Sequence, residues 1–200
     1  MNKLYAWLYK YFRPIVNWFY NIHVEGSENE PAEGGLLVCA NHISDSDVVV
    51  LGASLKRQLR YLAKIELFKI PLLKQLITAL GAFPIKRGGG DVAAIKTTLK
   101  LLSNGEAVAY YPQGTRHVGV DPRTTPVRHG IAMVASRAKV PILPVCIQTK
   151  KFRIVPFRRI DVRIGKPIYP DELALTATTS DEYKRASEYV FGKINEMIKD

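Results

Sequence analysis

Short apolar runs alternate along the chain with stretches in which apolar residues recur every three or four positions. Leu36–Ala40 is one such run. It lies between Gly34-Gly35 and the polar stretch Asn41-His42-Ile43-Ser44-Asp45-Ser46-Asp47, and it reads as a buried strand. Residues 48–55 follow as a helix, with Ser44, Asp45 or Ser46 as candidate N-cap. Residues 60–63 form a short strand. Residues 66–80 carry Leu67, Phe68, Ile70, Leu72, Leu73, Leu76, Ile77 and Leu80 at helical spacing, interrupted at Pro71. Ala82–Ile85 is the next strand, and Asp91 caps a helix running to Leu102. A strand at 107–111, a helix at 127–139 and a strand at 142–147 continue the series. Ile160–Ile164 alternates like an edge strand, and 180–198 closes the chain as an amphipathic helix. Such alternation predicts an α/β fold with a largely parallel central sheet flanked by helices. Residues 26–35 are a turn-rich link. No internal repeat is visible, and 24–200 reads as one domain.

The first 23 residues differ in character. Leu4, Trp7, Leu8, Tyr11, Phe12, Ile15, Val16, Trp18, Phe19 and Ile22 give a helix with one broad apolar face, and both tryptophans of the chain are here. Lys3, Lys10 and Arg13 are its charges, no acid precedes Glu25, and Pro14 should kink or divide it. A basic, aromatic, amphipathic helix lies in a membrane interface. The same face could instead pack on the domain, or do both. No run reaches the roughly 18 apolar residues of a membrane span, and no signal peptide is visible.

The formal charge of +11 calls for an anionic partner or surface. It is densest at Lys150, Lys151, Arg153, Arg158, Arg159, Arg163 and Lys166, set against the single acid Asp161, with Phe152, Val155, Pro156 and Phe157 between them. That patch fits anionic lipid or an acidic carrier protein. No nucleic-acid motif accompanies it. A solvated loop is the plain alternative. Cys39 and Cys146 lie in apolar runs, which gives no disulfide framework and points to a reducing compartment. His23, His117 and His129 lack metal-ligand spacing, so neither metal nor cofactor is expected.

Candidate chemistry gathers at strand ends. His42 should sit at the carboxyl end of a strand, where open α/β sheets place their ligands, with Asp47 in the first turn of the next helix. A carboxylate there can hold one imidazole nitrogen and leave the other as a base, as in the His–Asp half of a catalytic triad. Alone, the spacing equally fits a strand-end histidine beside a capped helix. Lys86 and Arg87 end the strand after Gly81, before the connector Gly88-Gly89-Gly90. Tyr111-Pro112-Gln113-Gly114-Thr115-Arg116 is a tight turn that aims Thr115 and Arg116 at the same edge, and an arginine can grip phosphate through two N–H groups. Val140-Pro141-Ile142-Leu143-Pro144-Val145 is an edge, a groove wall or a plain turn, because proline disfavours the middle of a sheet.

These four blocks, in this order, resemble the glycerolipid acyltransferase family, and Ala63-Lys64-Ile65-Glu66-Leu67-Phe68 resembles the family's Lys-x-Glu-Leu-Phe element. The likeness covers residues 24–170. It implies acyl transfer from an acyl carrier protein or coenzyme A thioester to the free hydroxyl of a lysophospholipid such as 1-acylglycerol 3-phosphate, giving phosphatidic acid. It implies His42 as general base and Asp47 as its orienting partner. Lys64, or backbone amides near Gly114, would face the oxyanion. Arg87 and Arg116 would bind the acceptor phosphate, and Gln113, Gly114 and Thr115 would line the acceptor site. Helix 66–80 and the amino-terminal segment would admit the acyl chain, with the enzyme peripheral on the cytoplasmic face of the membrane. One position departs. The family's third block reads Pro-Glu-Gly-Thr-Arg, and Gln113 stands for the glutamate, keeping an acceptor oxygen while losing the charge. Glycerol 3-phosphate or another lysolipid is an alternative acceptor, and a non-catalytic basic membrane-binding protein is the reading from a different class.

Overall fold

The computed structural model describes residues 3–85, 92–177 and 179–200. Among them a seven-stranded sheet forms from β1 (Ile22–Glu25), β2 (Leu36–Ala40), β3 (Leu59–Lys64), β4 (Ala82–Ile85), β5 (Ala107–Tyr110), β6 (Ile142–Thr149) and β7 (Ile160–Ile164), in the order β1-β7-β6-β2-β5-β3-β4. The strands from β6 to β4 run parallel, while β7 is antiparallel to β6 and β1 is parallel to β7. β2 is the middle strand. It pairs with β6 through Val38↔Leu143 and with β5 through Val38↔Ala109. All five of its residues are buried, because helices cover both faces, and such a strand is continuously apolar rather than alternating.

Six helices flank the sheet among the described residues: α1 (Lys3–Tyr20), α2 (Asp47–Ser54), α3 (Pro71–Ala79), α4 (Val92–Ser103), α5 (Gly130–Ala138) and α6 (Ser180–Asn195). Leu36, Val38 and Ala40 pack with Val50 and Leu51 of α2 on one face. Leu37 and Cys39 pack with Leu102 of α4, Ile131 of α5 and Val190 of α6 on the other. Burial in these apolar surroundings raises both thiols, Cys146 to about 12. α1 lies over α2 as an outer layer. Tyr9 Oη donates to Leu55 O at 3.0 Å and Arg13 Nε to Ala53 O at 2.7 Å, while Tyr5 is buried. The opposite side of α1 leaves Trp7, Tyr11, Phe12, Ile15 and Trp18 exposed, Trp18 by 70%. The helix therefore docks with one side and stays bare on the other.

Several expectations need correction. Ile160–Ile164 is not an edge strand, since β1 covers it through Val24↔Val162. Its alternation records a polar face: Ile160, Val162 and Ile164 are buried, while Asp161 and Arg163 form ion pairs. The amino-terminal helix ends at Tyr20, short of the expected residues 22–23, and Ile22 and His23 belong to β1; Asn21 turns the chain between them with a positive φ of 45°. α1 runs through Pro14 without being divided. The segment 66–80 is interrupted at Pro71 as expected, but its first part, Ile65–Lys69, is a 3-10 stretch; Pro71 opens α3 at a first-turn position where no helical N–H bond is lost. The stretch from Val140 to Val145 is neither edge nor turn, because β6 is paired on both sides. Pro144 is tolerated at the very start of the β7 ladder, where its carbonyl still accepts from Gly165 N at 2.9 Å. At Gly81, φ is +96° and an added Cβ would overlap Leu59 O, so the turn into β4 requires glycine.

Candidate active site

Because β6, β2, β5, β3 and β4 run parallel, their carboxyl ends share one edge of the sheet. The chain leaves β2 through Asn41. The Asn41 side chain donates to Ile147 O at 2.8 Å and accepts from Ile147 N at 2.7 Å, which prolongs the β2–β6 pairing by one step. That fixes the level at which His42 emerges.

His42 Nδ1 lies 2.7 Å from Asp47 Oδ2. The same oxygen accepts from Ile43 N at 2.7 Å and Ser44 N at 2.8 Å. Asp47 is fully buried in the first turn of α2, where the helix dipole favours an anion. A carboxylate acceptor makes Nδ1 the protonated nitrogen, so Nε2 carries the lone pair, and Nε2 has no partner among the described residues. Burial pushes the Asp47 carboxyl above its ordinary range, opposed by the hydrogen bond from His42 and those from the two amides. The imidazole stacks on the Tyr111 ring, with centroids 4.2 Å apart and planes at 19°. Burial also pushes the Tyr111 phenol well up, so it stays neutral. Ser46 is the N-cap residue by position but makes no side-chain cap; its hydroxyl accepts from Tyr20 Oη at 3.1 Å, tying α1 to the loop of His42.

The turn after β5 is placed by register. Cys39 faces Tyr110, so the next residues stand beside His42. Gln113 is 2% exposed, and both ends of its amide are occupied: Oε1 accepts from His42 N at 2.5 Å, and Nε2 donates to Thr125 Oγ1 at 2.8 Å. It therefore braces the His42 loop from within rather than facing an acceptor, which corrects the expectation. His42 O in turn accepts from His117 N at 2.9 Å. Gly114 needs its positive φ of 70°, and an added Cβ would overlap the Arg128 guanidinium. Its N–H donates to Tyr111 O at 3.0 Å, so the Gly114 amide is not free for an oxyanion. Thr115 and Arg116 are exposed at the edge, and Arg116 Nη1 forms an ion pair with Asp45. Lys64 ends β3, two strands from β2, about 10 Å away by ordinary interstrand spacing. Arg87, with Lys86 and the glycine connector, lies outside the described residues.

His42, Asp47 and the turn bearing Gln113 and Arg116 are thus brought together, and Lys64 stands on the same edge. The sequence reading missed Tyr111 as the stacking partner, Thr125 as the end of the Gln113 brace, and Asp45 as the partner of Arg116. Tyr111 was legible as an aromatic at a strand end; Thr125, twelve residues past Gln113, carried no signal.

The acyltransferase family model matches residues 21–148. The 1-acyl-sn-glycerol-3-phosphate acyltransferase of Bacillus subtilis (strain 168) is 31% identical over 156 residues, covering 76% of each chain. The chloroplastic 1-acyl-sn-glycerol-3-phosphate acyltransferase LPAT1 of Arabidopsis thaliana is 30% identical over 161 residues, which span 76% of this chain and 44% of that protein. The chain thus matches less than half of the plant relative's length. The crystal structure of the 1-acyl-sn-glycerophosphate acyltransferase of Thermotoga maritima superposes with a TM-score of 0.73 over 98% of this chain and 81% of that one, at 24% identity, a likeness of fold.

Proposed function

The chain belongs to the glycerolipid acyltransferase family and is an enzyme of acyl transfer; from that premise we propose that it moves a fatty acyl group from an acyl carrier protein or coenzyme A thioester to the free hydroxyl of 1-acylglycerol 3-phosphate, giving phosphatidic acid. The observation that carries the reading is the His42–Asp47 pair, with Nδ1 held and Nε2 free, beside the Arg116 turn on one sheet edge.

In this mechanism the acceptor hydroxyl gives its proton to His42 Nε2 as its oxygen attacks the thioester carbonyl carbon. Asp47 holds the ring and stabilises the imidazolium that forms. The tetrahedral oxyanion needs a donor, and removing one typically costs about 3 kcal/mol. Lys64 takes that role, the Gly114 amide being committed to its own turn. Collapse of the intermediate breaks the carbon–sulfur bond, and the departing thiolate takes the proton back from His42. Arg116 grips the acceptor phosphate, which displaces or shares the exposed Asp45 carboxylate, and Arg87 supplies a second cation.

The exposed aromatic side of α1 and the bare Leu72 and Leu76 of α3 support a monotopic seat on the cytoplasmic face of the membrane. No helix among the described residues is long and apolar enough to cross a membrane. The test is acyl transfer to lysophosphatidic acid from both thioester donors. Wild type should turn over and a folded His42→Ala variant should lose about 10²–10⁴-fold in rate, the usual contribution of a general base. Activity that survives in the variant would remove His42 from the chemistry.

A further inference from the structure

The densest charge of the chain plays no part in the site at His42. The end of β6, residues 150–152, the approach to β7 and the carboxyl-terminal residues after α6 enclose a basin of about 730 Å³. That volume is the size of a small-molecule site. It lies on the α6 side of the sheet, where Arg163 Nη1 donates to Met197 O at 3.0 Å and to Gln148 Oε1 at 2.5 Å. Its floor is an ion-pair network. Arg163 meets Glu25 at 3.4 Å and Asp161 at 3.6 Å, Arg159 meets Asp161 at 2.8 Å, and Lys199 meets Glu25 at 3.0 Å. These pairs use up the basin's acids Glu25 and Asp161, and Asp200 is taken by Arg123. Lys150, Lys151 and Arg158 line the same basin with no carboxylate partner among the described residues. The acids of the floor are neutralised and the rim is cationic.

The rim backbone is also unusual. Lys151, Phe152 and Phe157 hold positive φ values of 57°, 46° and 63°, a conformation uncommon for residues with a side chain. The basin adjoins the active-site edge. Phe152 O accepts from Gly119 N at 3.0 Å, two residues after His117, whose N–H bonds His42 O. Ala40 faces Val145, which sets His42 level with Ile147. Lys150 is three residues farther along, about 10 Å at strand rise.

We propose that this basin receives the phosphate-bearing head of the acyl donor, the pantetheine phosphate carried by coenzyme A or by an acyl carrier protein, while the thioester end reaches His42. The inference rests on the acyl-transfer reading. A concave, small-molecule-sized site fits a phosphate head, and guanidinium and ammonium groups with no competing carboxylate are the groups that hold one. A lipid headgroup layer fits less well. Most of the bare aromatic side of α1 lies on the α2 side of the sheet, whereas the basin opens on the α6 side; the two meet at the rim, where Trp18 stacks edge-on against Phe157 with centroids 5.2 Å apart, so the vesicle arm of the experiment separates them.

The experiment compares wild type with Lys150→Ala/Lys151→Ala/Arg158→Ala, three exposed positions whose truncation leaves the core intact. Three thioesters are used at saturating lysophosphatidic acid: acyl-coenzyme A, acylated acyl carrier protein, and an acyl-N-acetylcysteamine that lacks phosphate. We expect kcat/KM to fall roughly ten-fold or more, through KM, for a phosphorylated donor, as three charged contacts are removed. The phosphate-free thioester should react as before. Loss confined to one phosphorylated donor supports the site and names its source. Equal loss with all three, or no loss, overturns the proposal. So does a parallel fall in sedimentation with anionic vesicles, which would assign the rim to lipid headgroups. If wild type uses no thioester, the acyl-transfer reading itself has failed. Calorimetry with coenzyme A then decides the site alone: binding that disappears in the triple variant upholds it, and absence of binding to wild type overturns it.

Discussion

Replacing Asp47 by asparagine separates what the carboxylate does by shape from what it does by charge. Oδ2 accepts from His42 Nδ1, Ile43 N and Ser44 N, all within 2.8 Å, while Oδ1 is buried without a partner. An asparagine amide can sit in two ways. With its NH₂ toward the loop it would confront two buried backbone N–H groups, each left unsatisfied at about 1–3 kcal/mol. That orientation is disfavoured by roughly 2–6 kcal/mol on the same estimate. The amide oxygen therefore takes the Oδ2 place, still accepts from Nδ1, and keeps the lone pair on Nε2. Only the charge is lost. A hydrogen bond to a charged group is worth about 1.5–3 kcal/mol and a neutral one about 0.5–1.5. The imidazolium formed in the transition state thus loses about 1–1.5 kcal/mol, close to ten-fold in kcat. Asp47→Ala removes shape and charge together and should lose most of the ~10²–10⁴-fold contribution of the base. Steady-state acyl transfer at saturating substrates, with thermal melts to confirm folding, measures both. A folded Asp47→Asn variant as inactive as Asp47→Ala would refute the argument that the two amides lock the orientation.

Other outcomes follow from single contacts. Gln113→Ala leaves the buried His42 N–H without its acceptor, at a cost of about 1–3 kcal/mol that lowers the melting temperature by several degrees; Gln113→Glu keeps that acceptor and should cost less, and an Ala variant as stable as wild type would show that the brace is unused. Trp18→Ala, at a residue 70% exposed whose ring meets Phe157 edge-on, should lower the melting temperature by a few degrees at most and weaken sedimentation with anionic vesicles, whereas undiminished sedimentation removes this face of α1 as an anchor. Glu182 caps the start of α6, and hydrogen bonds led by the Thr176 hydroxyl, with the amides of Thr176, Ala177 and Thr179, hold its carboxyl down at about 2. Its ordinary value is about 4.3, so its stabilisation is complete above that pH and is lost as the pH falls toward 2. The denaturation midpoint of wild type should therefore fall more steeply across that interval than that of Glu182→Gln, and equal slopes would exclude Glu182 as the titrating group.

What could be read along the chain was what neighbours in sequence decide. Leu36–Ala40 had to be a doubly covered strand, because an unbroken apolar run of that length has no face to offer water. His42 and Asp47 are five residues apart, across one strand end and one helix start, so their meeting was a local matter. Periodicity reports which side of an element is apolar. It does not report which element lies alongside. The place of β7 inside the sheet, the Tyr111 ring on His42, the reach of Gln113 to Thr125, and the meeting of Glu25, Asp161 and Lys199 beneath the basic rim all depend on strand order and register. Those are set by the packing of distant segments against one core. Sequence by itself determined the strand–helix alternation, the basic surplus and the pairing of His42 with Asp47. Tertiary structure alone decided that Gln113 turns inward, because a buried N–H on His42 must find an acceptor and the β2–β5 register puts this one beside it.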